Sequence, residues 1–373
     1  MTISSSSFSD NSAGVDGSGG AIDNAAGIVT ISNSTFSTNS ALDGSGISNE
    51  AAGSLSIIAS TFSGNSGLNS SSGGGVFNLG SLTITSSTFA GNSALSGGGI
   101  FNDFGGNLSV ARSTFSANMV VDGGAGIVNA NPGTSATVTN CTFFDNSASD
   151  TDSTPSGGGI ANESSASLTV TSSTFFDNYA FDPVSMAGNG GGIANFNDPG
   201  TVTLVSDIFE DNPFGGNCQG PVVSGGYNIS DDQTCNFGAS TGANGQALGD
   251  RVNAQLANDG LQNNGGPTQT IALQASSPAI AAVPLAQCTV TTDQRGDPRP
   301  ALGYGACDIG AYELEAIVVN TLSDSSPSGD HLCSLREAIN NANGKSETTG
   351  GGLYLGYRRR HHHVQRQRHD HAW

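Results

Sequence analysis

Basic side chains are all but missing from most of this chain. Residues 1–250 hold 20 Asp or Glu against one Lys or Arg, Arg112, and the 373 residues together carry a formal net charge of −20. Such a surface repels nucleic acid, anionic lipid and polyanionic sugars unless a divalent cation intervenes, so nucleic acid is not an expected partner. Histidine is absent from residues 1–330, which removes Ser-His-Asp, Cys-His and His-ligated zinc chemistry from that region. There is no run of 18 or more apolar residues, hence no helical membrane span, and no secretory leader is expected either. Apolar residues amount to 35%, few for a globular core. Gly, Ser, Thr and Asn take their place, a composition shared with disordered chains. Against disorder, the apolar residues are strictly placed.

That placement is periodic. The phrase Ser-Thr-Phe-x-x-Asn-Ser, or a close variant, returns with its Phe at Phe8, Phe36, Phe62, Phe89, Phe115, Phe143, Phe175 and Phe209, at spacings of 28, 26, 27, 26, 28, 32 and 34 residues. An Asn follows each Phe by three positions: Asn11, Asn39, Asn65, Asn92, Asn118, Asn146, Asn178 and Asn212. A period of this size marks a solenoid, in which one repeat is one layer that cannot bury its apolar face alone. The stretch Met1–Phe8 reads as Leu82–Phe89 does, so the chain is expected to open inside a repeat, as a piece of a longer protein.

Residues 81–107 show the chemistry of one repeat. Ser81-Leu82-Thr83-Ile84-Thr85 alternates polar and apolar with the period of a half-buried strand. Ser86-Ser87-Thr88-Phe89 then bends and sends Phe89 inward, and Ala90-Gly91-Asn92 makes a turn. Gly97-Gly98-Gly99-Ile100-Phe101-Asn102 predicts a second strand, opened by glycines and closed by an Asn. No helical period occurs, so stacked coils are expected to pair strand on strand in parallel at roughly 4.8 Å per layer. In that register the turn Asn residues form one hydrogen-bonded ladder. Asn24, Asn49, Asn78, Asn102, Asn129, Asn162 and Asn195 form a second. A structural role is expected for all of them.

The alternation of Gly-Gly-Gly-Ile-x-Asn with Ser-Thr-Phe-x-x-Asn-Ser-Ala resembles the repeats of polymorphic outer-membrane proteins and related bacterial surface proteins, over roughly residues 1–215. The resemblance implies an all-β fold, a right-handed single-stranded parallel β-helix of the pectin-lyase-like kind. It also implies an extracellular or cell-surface location. Downstream, Asn217-Cys218-Gln219-Gly220, Gly226-Tyr227-Asn228-Ile229, Asp293-Gln294-Arg295-Gly296, Arg299-Pro300 and Cys307-Asp308-Ile309-Gly310-Ala311-Tyr312-Glu313 resemble the choice-of-anchor Q domain that ends exported β-helices. It implies that residues 216–315 are the last coils and a cap, with Arg295, Arg299, Asp308 and Glu313 pairing to hold the final coil. Val318-Val319-Asn320-Thr321 with Cys333-Ser334-Leu335-Arg336-Glu337-Ala338-Ile339 resembles a CSLREA segment, the start of a second module over residues 316–345. Residues 346–373, with Arg358-Arg359-Arg360-His361-His362-His363, read as a disordered or frame-shifted tail.

Candidate sites are few. Cys218 with Cys235 and Cys288 with Cys307 flank Gly- and Pro-rich loops, which points to two local disulfides and an oxidising compartment; metal binding, the rival, lacks any CxxC spacing. Cys141 stands at the Ser position before Thr142-Phe143, as a small strand residue. Asp145, Asp177 and Asp211 occupy one position in successive coils, where stacked carboxylates would be solvated or bridged by calcium. Phe144 and Phe176 adjoin inward Phe143 and Phe175, so alternation turns them outward. There they would meet a sugar face, a host or neighbouring surface protein, or the loop 179–192. Parallel β-helices include polysaccharide lyases and hydrolases. Of the polygalacturonase motifs only Asp231-Asp232 has an echo, and a lyase would have Arg112 as its sole base in the coils. The expected function is a non-catalytic exported stalk or adhesin-like module, possible calcium aside without a cofactor. The alternative is a polysaccharide lyase or hydrolase.

Overall fold

The computed structural model describes residues 1–314 except 15, 68–70, 151–154, 186, 197, 199, 238–248, 253–257 and 302–304. The expected CSLREA-like segment and tail, 316–373, lie outside the described residues. The rest is a parallel β-solenoid. Each full coil contributes one strand to a nine-stranded, one to a ten-stranded and one to an eight-stranded sheet; a shorter four-stranded sheet joins them in the middle coils.

The coil at 81–107 shows how. Ser81–Thr85 lies in the nine-stranded sheet with Leu82 and Ile84 buried and Ser81 and Thr83 exposed. Thr88–Ala90 forms a separate strand in the ten-stranded sheet, where sequence reading has only a bend. Ser93–Ala94 opens the four-stranded sheet, and Ile100–Asn102 belongs to the eight-stranded one. Registers are strict: Leu82 pairs with Leu55 and Leu108, Phe89 with Phe62 and Phe115, and Asn102 with Asn78 and Asn129.

Three corners turn the chain between sheets, each on a left-handed residue. The first corner uses Ser86, Arg112, Asn140, Ser172 and Ser206, the second Gly91, Ala117, Asp145, Asp177 and Asp211, the third Gly73, Gly97, Gly124, Gly157 and Gly190. Left-handed backbone strains L-residues, Asn and Asp least among those with side chains. At the third corner only glycine fits, because a Cβ on Gly97 would lie 2.7 Å from the Ile100 carbonyl oxygen.

The core runs along the axis as columns. Phe36, Phe62, Phe89, Phe115, Phe143, Phe175 and Phe209 are 0% exposed, with neighbouring ring centroids 4.6 to 4.9 Å apart. Each buried ring contributes about 1.5–3 kcal/mol. Columns of Ile, Leu and Val from the other two sheets fill the remaining space. At the far end Phe237 seats against Phe209, and the Cys218–Cys235 disulfide lies in the same apolar cluster.

One region departs from the expected layout. Only the first part of 216–315 continues the coils, through Cys218–Gln219, Val223–Gly226, Ile229–Ser230 and Arg251–Val252. Contacts from 268 to 311 lie instead along the side of the solenoid, as a strap. The Thr114 hydroxyl donates to the Gln269 carbonyl at 2.6 Å, Asn140 Nδ2 to the Thr292 carbonyl at 2.8 Å, and the Ala311 amide to the Thr174 hydroxyl at 3.0 Å. The strap therefore runs over several coils, and its Ile309 and Tyr312 also cluster with Ile208 and Ile229 of the last ones.

Candidate functional site

The ladder residues are spoken for. Asn11 through Asn212 link in series by Nδ2–H to Oδ1 bonds of 2.8 to 3.1 Å. Asn212 passes the chain on to Asn217. Each interior amide also donates to the Phe carbonyl of the preceding coil, as Asn118 does to Phe89 at 3.0 Å, and its oxygen accepts a backbone N–H. Asn24, Asn49, Asn78, Asn102, Asn129, Asn162 and Asn195 form the second series at 2.6 to 3.0 Å. In the first series the interior amides, such as Asn118 with two bonds donated and two accepted, have no capacity left for a ligand.

A third ladder escaped sequence reading. The Ser before each Thr-Phe accepts the backbone N–H of its counterpart one coil earlier and donates its hydroxyl two residues back: Ser34, Ser60 and Ser87 do both, each acceptor distance being 3.1 Å. Cys141 takes that place in its coil and points its thiol at the Thr139 carbonyl. Burial pushes this thiol up to about 12, so it is inert rather than nucleophilic. Asp207 takes the place next to the end, fully buried, accepting N–H bonds from Ser173 and Val205. Burial holds its carboxyl well above the usual range. The recurring Ser two positions before Phe, replaced only by Cys141 and Asp207, was the available signal.

Arg112, the one Lys or Arg of residues 1–250, is a first-corner residue with φ 53°. It lies at the strap: its carbonyl accepts the Thr268 hydroxyl at 3.1 Å, and its guanidinium comes within 4.0 Å of where a Cβ on Gly296 would stand. Among the described residues no carboxylate forms an ion pair with it. The strap beside it is locked by Gln294, whose amide oxygen accepts from Thr142 at 2.6 Å and whose amide nitrogen donates to Thr114, Thr268 and the Gln269 carbonyl. Of the four ions expected to pair, Arg299 and Glu313 do, at 3.6 Å. Arg295 pairs with Asp293 and Asp297 instead, and the Asp308 carboxylate accepts the amides of Ala281 and Leu314. They hold the strap, including the 309–312 stretch that packs with Ile208 and Ile229 of the last coils. Cys288–Cys307 is a disulfide within it.

Asp145, Asp177 and Asp211 form the second-corner edge. Left-handed geometry is reason enough for Asp there. Burial, then Asp145 and Asp211, push the Asp177 carboxyl from 3.8 up to about 6. Burial also raises Asp145, and burial followed by Asp231 raises Asp211. Among the described residues no three Asp, Glu, His or Cys side chains converge as metal ligands do. Phe144 and Phe176 point outward beside this edge, half-buried and stacked on one another with centroids 6.0 Å apart. Tyr179–Phe181, expected in the loop, is a strand of the four-stranded sheet.

No helix among the described residues is long and apolar enough to cross a membrane. Neither a curated protein nor a solved structure matches the chain. A Chlamydia polymorphic membrane protein repeat matches residues 5–25. The right handed beta helix region matches residues 21–209, just over half of the chain and the very coils that carry the Phe and Asn columns, and the chain belongs to that family.

Proposed function

We propose that this protein is a non-catalytic β-helix scaffold, exported to the cell surface or beyond, that holds a contact face at a fixed distance along its axis. The observation that carries it is the unbroken Asn series from Asn11 to Asn217, which commits one Asn side chain of every coil to holding the next. Two disulfides suit an oxidising compartment, and the match to a polymorphic membrane protein repeat suits the cell surface. The resemblance of 217–313 to a choice-of-anchor Q domain, and of 318–343 to a CSLREA segment, suits one module among several.

A lyase would gather a base, acidic calcium ligands and basic groups for the uronate carboxylates in one groove. Here Arg112 sits at the strap on the first corner while the acidic row lines the second. The test is incubation of the purified protein with polygalacturonate and calcium, following absorbance of unsaturated products. No turnover is expected. Turnover lost in Arg112→Ala would replace the scaffold with the enzyme.

A further inference from the structure

The second-corner edge changes character along the axis. In the first five coils the residue before the corner is Ser9, Ser37, Ser63, Ala90 or Ser116, and the one after the ladder Asn is Ser12, Ser40, Ser66, Ser93 or Met119. In the next two coils Phe144 and Phe176 replace the small residue before the corner, in register with each other. Tyr179 then takes the serine position after Asn178, and Phe214, 41% exposed, packs against Tyr179 and Phe181 with centroids at 6.5 and 4.4 Å. Between the two aromatic flanks stand Asp145, Asp177 and Asp211, one coil apart. Among the described residues no basic side chain reaches these three carboxylates; the ion pairs described all lie in the strap.

We propose that this aromatic-flanked acidic edge docks a basic, arginine-bearing segment of a partner protein. It rests on the scaffold reading, in that the edge serves contact rather than chemistry. A guanidinium is planar and weakly hydrated, stacks on ring faces and donates pairwise to carboxylates, so it uses both halves of the surface at once. The alternatives use one half each. A neutral sugar covers the rings and leaves a row of carboxylates uncompensated. A uronate is repelled by that row. Calcium neutralises it and leaves the rings exposed. The charge of the chain, −20 overall, also draws a basic partner from a distance.

The experiment titrates the whole protein into a fluorescein-labelled peptide of alternating arginine and serine, followed by anisotropy at physiological salt. Saturable binding is expected. The double variant Phe144→Ser/Phe176→Ser keeps every charge and restores the residue other coils carry; it should weaken binding about ten-fold. Asp23→Asn/Asp43→Asn removes two charges from the early coils and should leave the affinity within about two-fold, since charges several coils away are screened. If the serine variant loses the parent's circular dichroism, Phe144→Leu/Phe176→Leu, which keeps apolar bulk without the π faces, makes the same test. Equal binding by parent and aromatic variant, or equal loss in the Asp23/Asp43 variant, would mean that diffuse charge attracts the peptide, and the proposal falls. It falls also if a neutral cello-oligosaccharide or calcium binds at this edge and the peptide does not. Turnover of polygalacturonate, by contrast, would remove the scaffold reading while the peptide result stood apart from it.

Discussion

Asn118→Ala removes one rung from the middle of the longer amide series. The side chain is fully buried. Its Oδ1 accepts the Asn92 backbone N–H and Asn92 Nδ2, both at 3.0 Å, and its Nδ2 donates to the Phe89 carbonyl at 3.0 Å and to Asn146 Oδ1 at 2.8 Å. Truncation breaks all four bonds. Two partners keep another: Asn92 Nδ2 still reaches the Phe62 carbonyl, and Asn146 Oδ1 still accepts the Asn118 backbone N–H. The Asn92 N–H loses its acceptor and the Phe89 carbonyl a donor, among residues that are 0% exposed. At about 1–3 kcal/mol for each buried group, the loss comes to about 4 kcal/mol. Solenoids unfold piecewise, so a single global midpoint would blur the effect. Amide hydrogen exchange reads it locally, and protection of the Asn92 amide should fall by about a thousand-fold. The comparison is Asn33→Ala, an exposed first-corner residue with φ 49°, where only left-handed backbone preference is lost, about 1–2 kcal/mol. A change at Asn92 smaller than ten-fold, or no larger than the one Asn33→Ala produces at its own neighbours, would refute the ladder as a source of stability.

Asp177→Asn should stabilise the protein at pH 7.5 and do little near pH 4. The folded carboxyl titrates near 6 against 3.8 unfolded, so its contribution is fully present below 3.8 and lost as pH rises through about 6. The shift converts at about 1.4 kcal/mol per pH unit, and halved for the solvent screening of a half-exposed group it leaves about 1.5 kcal/mol. Urea midpoints of parent and variant across that range check it; a gain that does not shrink on acidification would contradict the assignment. Gln294→Ala should free the strap, because Thr142, Thr114 and Thr268 all lose their bonds to its amide. Arg295, followed by Gly296, is 8% exposed, and trypsin should cut after it far faster in the variant; unchanged cleavage would show that the salt bridges hold the strap without Gln294.

In a solenoid the neighbour in space stands at a nearly fixed offset in sequence, which is why so much here was legible from residues alone. The recurrence of Ser-Thr-Phe-x-x-Asn-Ser placed Phe89 between Phe62 and Phe115 and Asn92 between Asn65 and Asn118, as the parallel registers and amide bonds show. The close spacing of Cys218 and Cys235 worked the same way. Backbone handedness carries no such mark. That Asp145, Asp177 and Asp211 are corner residues in the left-handed region, and Arg112 another, emerged only once the coil was closed. The strap lay furthest from reach: Gln294 meets Thr142 and Thr114 across 152 and 180 residues, and Ala311 meets Thr174 across 137. No period links these positions, so the chain's own repeats set the rod, while folding back against its side was decided by buried hydroxyl and amide groups finding one another in three dimensions.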